Sequence, residues 1–550
     1  MYRICSFFFV ILLSFGAKSQ DTITRGDLSI AAKVIGLEFT PAEVDSMYRE
    51  VKGAREDYKN LRKYPLPNGV PLSLVQNPVV GGMKFNTLQQ PVIWKTPANV
   101  SVPKNKNDLA FYPLLQLASL LKNKKITSVD LTTFFIDRIK KFGDTLQCVI
   151  SLNEDMALQQ ARQADKEIAA GKYRGPLHGI PYGLKDLFSV KGTRTTWGAE
   201  PYKTQVSSED AFVYTQLKNA GAVFVAKFTL GALAMGDYWF GGRTKNPWNL
   251  EKGSSGSSAG SASATVAGLI PFAIGTETWG SIISPATTCG ATGLRPTFGS
   301  VSRSGAMALS WSLDKIGPIC RSAEDAAVVF NYIHGTDGRD ASAVTMPFNY
   351  TGKINWSKVK IGYAKNYFDR DTSSNDLQVL DTYRKLGAKL TPVIFPDSLV
   401  YKFDMMGTII SAESAAQFDE FTRSNIDDLM TRQTRNDWPN FFRAARFIPA
   451  VEYINANRHR YLLMQEVNKL FAEYDVVICP TWEGNQSAIT NLTGHPAICF
   501  PNGFSQSSLP TSITLLGKLY SEAILLSVAA AYQNATGWDE MHPKMFNGGQ

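Results

Sequence analysis

The sequence predicts an α/β fold, and three observations carry that reading. From about Leu109 onward, stretches of helical periodicity alternate with short apolar runs, the pattern of strands covered by helices. Of the 550 residues, 44% are apolar and 19% charged, globular values that permit a sizeable core and exclude global disorder. The third is the stretch Gly253 to Arg303, where small residues run straight into ATVAGLIPFAIG, a buried helix followed by a short strand. A flexible Gly/Ser linker has similar composition. A linker has no reason to be spliced into a core element, so these residues are read as a place where backbone approaches a ligand closely.

Taken in order, the chain opens with Arg3, an apolar run from Phe7 to Phe15, and Ala17-Lys18-Ser19. This is the pattern of a signal peptide over residues 1–19, cut near Ser19–Gln20, and it predicts export to the periplasm or outside the cell. The run is too short to span a bilayer, so no integral membrane segment is expected after cleavage. Residues 20–108 read as an N-terminal helical extension. Thr40 is placed as an N-cap with Pro41 at the first helical position, and the helix runs to about Leu61. A Pro-rich extended segment follows from Tyr64 to Pro103.

The main domain, 109–550, begins with a helix over Ser128–Phe142, a strand over Cys148–Ser151 and a helix over Met156–Ala170. Lys185 then falls in the Gly/Pro-punctuated apolar segment Gly175–Leu187, an unusual setting for a residue type normally found on the surface. Asp210 to Lys227 reads as a helix followed by a strand, 272–275 as a short strand, and a turn enters a helix near Pro285. The variable region 340–475 reads as helical segments carrying Phe403, Phe418, Phe421, Trp438, Phe441, Phe442 and Phe447. That aromatic stripe is assigned to core, with residues 400–450 bordering an apolar pocket. A long Ala/Leu-rich helix starts near Ser521.

Several function classes are excluded. The formal charge of +9 contains no long Lys/Arg run, so no nucleic-acid surface is expected. The five cysteines beyond the leader, Cys148, Cys289, Cys320, Cys479 and Cys499, are too widely spaced for a disulfide framework, although one bridge could form. Five single histidines, among them His178 near Lys185, have no ligand-like spacing; no metal and no cofactor are expected. Two short serine patterns compete for attention. Gly256-Ser257-Ser258-Ala259-Gly260 fits a nucleophile elbow but lacks a strong preceding strand, and Ser312-Leu313-Asp314-Lys315 fits Ser-x-x-Lys without a following Lys-Thr-Gly.

The long ordered pattern is more specific than either. Gly253–Ser261, then Gly275-Thr276-Glu277-Thr278-Trp279-Gly280-Ser281-Ile282, then Cys289-Gly290 and Gly293-Leu294-Arg295-Pro296-Thr297 resemble the signature block of the amidase signature family of serine amidases. Gly179-Ile180-Pro181-Tyr182-Gly183-Leu184-Lys185-Asp186 is similar to its lysine segment. The resemblance implies one large domain with a mixed β-sheet core surrounded by helices. It implies Ser281 as nucleophile, Lys185 as base, and a bridging serine after a cis peptide bond. Backbone N–H groups of Thr278, Trp279, Gly280 and Ser281 would form the oxyanion hole, and Met235 would line the acyl pocket. The family's bridging serine lies 24 positions before the nucleophile, and 281 − 24 = 257 selects Ser257 over Ser254. Trp279, Ile283, Thr229 and Ala232 depart from the pattern, replacing glycine, arginine, asparagine and glutamate. The main functional expectation is an exported serine amidase acting on a small-molecule amide, either a carboxamide or an N-acyl amide. The alternative is a glutamine-hydrolysing amidotransferase A-like subunit that acts on misacylated tRNA. Export would exclude that alternative, because both the tRNA and its partner subunit belong to the cytosol.

Overall fold

The computed structural model describes residues 23–64, 67–70, 73–370, 373–397 and 403–547, with nothing stated for the side chain of Phe403. The expected leader therefore lies outside the described residues. The chain divides into two compact units, Met1–Leu66 and Pro67–Gln550. Among the described residues of the first are two helices, Arg25–Val34 and Pro41–Leu61. The second helix starts at Pro41 because Thr40 and Glu43 form a reciprocal capping box, each side chain accepting the other residue's backbone N–H.

The large unit is built on one eleven-stranded mixed sheet. Its strands are β1 (Val149–Leu152), β2 (Pro181–Lys185), β3 (Val223–Phe228), β4 (Ala273–Glu277), β5 (Thr292–Arg295), β6 (Lys315–Cys320), β7 (Ile361–Ala364), β8 (Leu390–Val393), β9 (Val476–Pro480), β10 (Ala497–Phe504) and β11 (Pro510–Gly517). Across the sheet they lie in the order β1-β3-β2-β4-β6-β5-β10-β11-β9-β7-β8. The central strands β2, β3 and β6 are buried at every position, as expected of strands covered on both faces.

The Gly/Ser-rich stretch supplies the helix Ala259–Val266, whose eight residues are all buried. Small side chains let this helix lie close to its neighbours, and its hydroxyls are satisfied internally. Ser263 Oγ donates to the Lys245 carbonyl at 2.8 Å and Thr265 Oγ1 to the Ser261 carbonyl at 2.8 Å. The composition of a linker here serves a packed core.

The helix expected over Ser128–Phe142 continues to Leu146, because its apolar face carries on through the fully buried Leu146. The region 340–475 differs more. It contains β7 and β8 as well as helices, paired in parallel at the edge of the sheet. Four-residue strands give too short a window for alternation to register, and Pro392 within β8 is tolerated only because that strand is an edge.

The capping box of the helix Ser128–Leu146 gives a direct check on local stability. Thr127 Oγ1 accepts the Asp130 N–H at 3.0 Å, and Asp130 Oδ2 accepts the Thr127 N–H at 3.2 Å. Thr127→Ala is expected to lower unfolding stability by about 1 kcal/mol, read as a shift in urea midpoint, with Thr127→Ser restoring most of it.

Candidate active site

Strands β2 and β4 run parallel in the register Gly183↔Ala273 and Leu184↔Ile274, so both end on the same side of the sheet. Lys185 closes β2 and is wholly buried. Its Nζ lies 2.8 Å from Ser257 Oγ, 2.8 Å from Thr276 Oγ1, 3.2 Å from Ser258 Oγ and 3.3 Å from the Thr276 carbonyl. Burial disfavours the ammonium and lowers its pKa from 10.5 to about 7, against the opposing pull of Asp314 and Glu277. A neutral amine has two N–H groups and one lone pair. Ser258 Oγ already donates to the Thr276 carbonyl at 3.1 Å and accepts the Thr276 N–H at 3.2 Å, so toward Lys185 it acts as acceptor. The Thr276 carbonyl takes the other N–H, so the lone pair faces two hydroxyls at 2.8 Å, those of Ser257 and Thr276.

The peptide bond Gly256–Ser257 is cis. Gly256 is required for a separate reason: a Cβ there would collide with the Gly236 carbonyl. Ser254, the other candidate for the bridge, turns its hydroxyl onto the Ser255 carbonyl at 2.9 Å. Ser281 lies in the turn between β4 and the helix Ile283–Cys289. Its carbonyl accepts the Ser258 N–H at 3.1 Å, which brings it beside Ser257. Among the described residues its hydroxyl makes no hydrogen bond to Ser257 or any other group, and the residue is 9% exposed.

Glu277 organises this turn, and the sequence reading assigned it nothing. One carboxylate oxygen accepts the Ile282 N–H at 2.9 Å and the Ile283 N–H at 3.0 Å; the other pairs with Arg295 at 2.9 Å and accepts from Asn491 at 2.8 Å. Burial alone would raise its pKa, but Arg295, Lys315, the Ile283 N–H and the Asn491 amide outweigh it and hold the carboxyl at about 2. The signal available was an acid in an otherwise small and apolar block, with one arginine 18 residues further on. With the next two N–H groups engaged by Glu277, those of Thr278, Gly280 and Ser281 meet no acceptor among the described residues. Gly280 takes φ +81°, a value that demands glycine, whereas Trp279 is not among the positive-φ residues. Trp279 is 38% exposed and Ile283 is buried in the apolar core, so the second departure does not face solvent.

A cavity of about 370 Å³ opens beside Thr276 and Thr278, with Leu187, Trp197, Ala234 and Asp314 in its wall. The side chains of Ser257 and Ser281 are not part of that wall, and Met235 packs against the core while its neighbour Ala234 lines the cavity. Of the other departures, Thr229 is buried and hydrogen-bonded to Thr244 at 2.6 Å, and Ala232 packs on the core. Phe418, Phe421, Trp438 and Phe442 are buried: Phe442 stacks on Phe418 and Trp438, while Phe421 and Trp197 meet Phe418 edge-on; Phe441 and Phe447 are exposed.

The competing patterns have other occupations. Ser312 Oγ donates to Glu413 at 2.7 Å and accepts from Arg460 at 2.8 Å, while Lys315 Nζ bonds the Leu313 carbonyl. His178 accepts the Arg174 N–H at 3.1 Å and lies 3.3 Å from Glu167. The five described cysteines are free and buried. Among the described residues no group of His, Cys, Asp or Glu is arranged to hold a metal ion, and no helix is long and apolar enough to cross a membrane.

Fold and site together define an enzyme acting on C–N bonds. The family model described as Amidase matches residues 130–487, and the chain belongs to that family. It is 33% identical over 480 residues to the glutamyl-tRNA(Gln) amidotransferase A subunit of Coxiella burnetii (strain RSA 493 / Nine Mile phase I), covering 78% of this chain and 99% of the relative. It is 34% identical over 478 residues to the protein of the same name from Methylococcus capsulatus, covering 78% and 98%. Among solved structures it is similar to the native peptide amidase from Stenotrophomonas maltophilia, with TM-score 0.70, 29% identity, and coverage of 78% of this chain and 98% of that one. It is also similar to the glutamyl-tRNA(Gln) amidotransferase A subunit from Thermotoga maritima, with TM-score 0.66, 26% identity, and coverage of 79% and 98%.

These relatives correct two expectations. The reading as a secreted or periplasmic small-amide hydrolase gives way to its alternative, because relatives matched over nearly their whole length carry the amidotransferase name. Export falls with it, since it was the ground for excluding a protein named for tRNA chemistry. The leader-like pattern rests on about twenty residues, against a match of 480.

The Glu277–Arg295 pair makes the site's stability depend on acid. The folded pKa of Glu277 is depressed from 4.5 to about 2, so its contribution is complete above pH 4.5 and is lost as pH falls through about 2. Arg295→Met leaves that carboxylate buried without its partner. The expected loss is about 3–5 kcal/mol at neutral pH, measured by denaturant unfolding, and it should shrink as the pH is lowered through this window.

Proposed function

We propose that the chain is the glutamine-hydrolysing component of an amidotransferase, releasing ammonia from the side-chain carboxamide through an acyl-enzyme on Ser281. The single observation that carries this is the near-complete match, at 31–34% identity, to relatives bearing the amidotransferase name. The contact between Lys185 and Ser257 supports the following chemistry. Lys185, about half of it deprotonated at pH 7 and more above that, accepts the Ser257 proton while Ser257 accepts that of Ser281, and the Ser281 oxygen attacks the amide carbon.

Negative charge then develops on the former carbonyl oxygen, which the N–H groups of the 278–281 turn receive. One such donor is worth about 3–4 kcal/mol in the transition state. The relay runs back as the C–N bond breaks: Ser257 gives its proton to the departing nitrogen and recovers one from Lys185. Ammonia leaves, and water, deprotonated by the same route, cleaves the ester to give glutamate. The ammonia would pass to a partner protein that amidates glutamyl-tRNA, so the nucleic acid is met by the assembly and not by a basic face of this chain.

The test is ammonia release from glutamine by the purified chain, alone and with its cognate partner protein. Ser281→Ala is expected to abolish release. Ser257→Ala should remove most of it, about a hundredfold or more, whereas Ser254→Ala leaves much of it. Hydrolysis of a peptide's C-terminal carboxamide with none of glutamine would contradict the proposed substrate. Greater damage from Ser254→Ala would contradict the assigned relay.

A further inference from the structure

Two residues of the cavity wall come from far outside the family-matched span of 130–487: Asn68 and Gly69. Asn68 is held on both sides. Its side-chain amide pairs with one peptide unit, Nδ2 donating to the Ala308 carbonyl at 3.2 Å and Oδ1 accepting the Ala308 N–H at 3.0 Å. Its own carbonyl accepts from Gln417 Nε2 at 3.0 Å, at the end of the helix Phe403–Gln417. The next residue after Ala308 continues the connection inward. The Leu309 N–H donates to Asp314 Oδ2 at 2.8 Å, and Asp314 Oδ1 accepts the Thr278 hydroxyl at 2.6 Å. Hydrogen bonds thus run from Asn68 to the turn that carries Ser281. Gly69 has no positive φ, and a Cβ added to it would meet nothing within 4 Å. A side chain can therefore be placed there without distorting the backbone.

We infer that Asn68 and Gly69 form a substrate-facing wall that sets the size of the group accepted behind the reacting carbonyl. The hydrogen bonds to Ala308 and Gln417 fix the wall in place, and Gly69, an exposed residue of the cavity lining, has room for an added side chain there. A residue outside the family-matched span thereby becomes a specificity determinant for chemistry performed inside it. The inference rests on the reading of Ser281 as nucleophile but not on glutamine as the substrate.

The test uses the full chain and two fluorophosphonate probes, one carrying a methyl-sized group and one a ten-carbon chain, with the rate of adduct formation on Ser281 followed by mass spectrometry. Gly69→Trp is expected to slow the long probe about tenfold or more relative to the short one, and Gly69→Leu to have a smaller effect in the same direction. Asn68→Ala, which releases the wall, should shift the ratio the other way. A long-to-short ratio unchanged within about twofold in all three variants overturns the inference. Absence of labelling at Ser281 in the parent chain overturns the nucleophile assignment and the wall with it. A shifted ratio in a chain that does not hydrolyse glutamine leaves the wall standing and removes only the proposed substrate.

Discussion

The site depends first on where Lys185 is put. An ammonium ion loses too much hydration in a wholly buried position to remain charged without a close counter-ion. None sits in contact with it: its partners are three hydroxyls and a carbonyl. That environment brings its titration close to neutrality, and the rest of the local structure serves it. Parallel pairing of β2 and β4 sets the lysine beside Thr276, and the small-residue helix Ala259–Val266 lets Ser257 and Ser258 approach it. Gly256 admits the Gly236 carbonyl where any side chain would collide.

A second constraint fixes what faces the lysine. The Glu277 carboxylate takes the N–H groups of Ile282 and Ile283, so the turn between them and β4 cannot swing. Glu277 meets a guanidinium whose second amino group also holds the Thr490 hydroxyl and the His495 carbonyl. Ile283, which stands where the resembled pattern has arginine, is buried in the core. A lysine at 295 has no rigid fork to hold all three partners at once.

Much of this was legible in the residue string. The helix–strand unit around the site could be read because its apolar run is long, and counting through a close-packed unit selected Ser257, which the structure places on Lys185. Glu277 showed in the sequence only as an acid among small and apolar residues; its role did not, because its partners Arg295 and Asn491 are 18 and 214 residues away and only the fold brings them together. The edge strands β7 and β8 were missed because four residues carry too little periodicity. Substrate class and cellular location were misread for a different reason. A leader-like pattern of about twenty residues carries no information about the chemistry of the domain that follows it. Asn68 lay in a Pro-rich stretch to which composition assigns no role, and only its two-sided bonding to Ala308 shows what it touches.

The proposed activation of Ser281 depends on a lysine that loses its proton around pH 7. The most direct measurement is the rate at which a serine-directed fluorophosphonate attaches to the chain as a function of pH, with the modified residue identified by mass spectrometry. Because the amine must lose its proton before it can accept one, the rate should rise with pH through a midpoint of about 7 and level off above it, with the adduct on Ser281. A rate still climbing toward pH 10, as an ordinary lysine would give, or an adduct on Ser258 or Ser312, would contradict it.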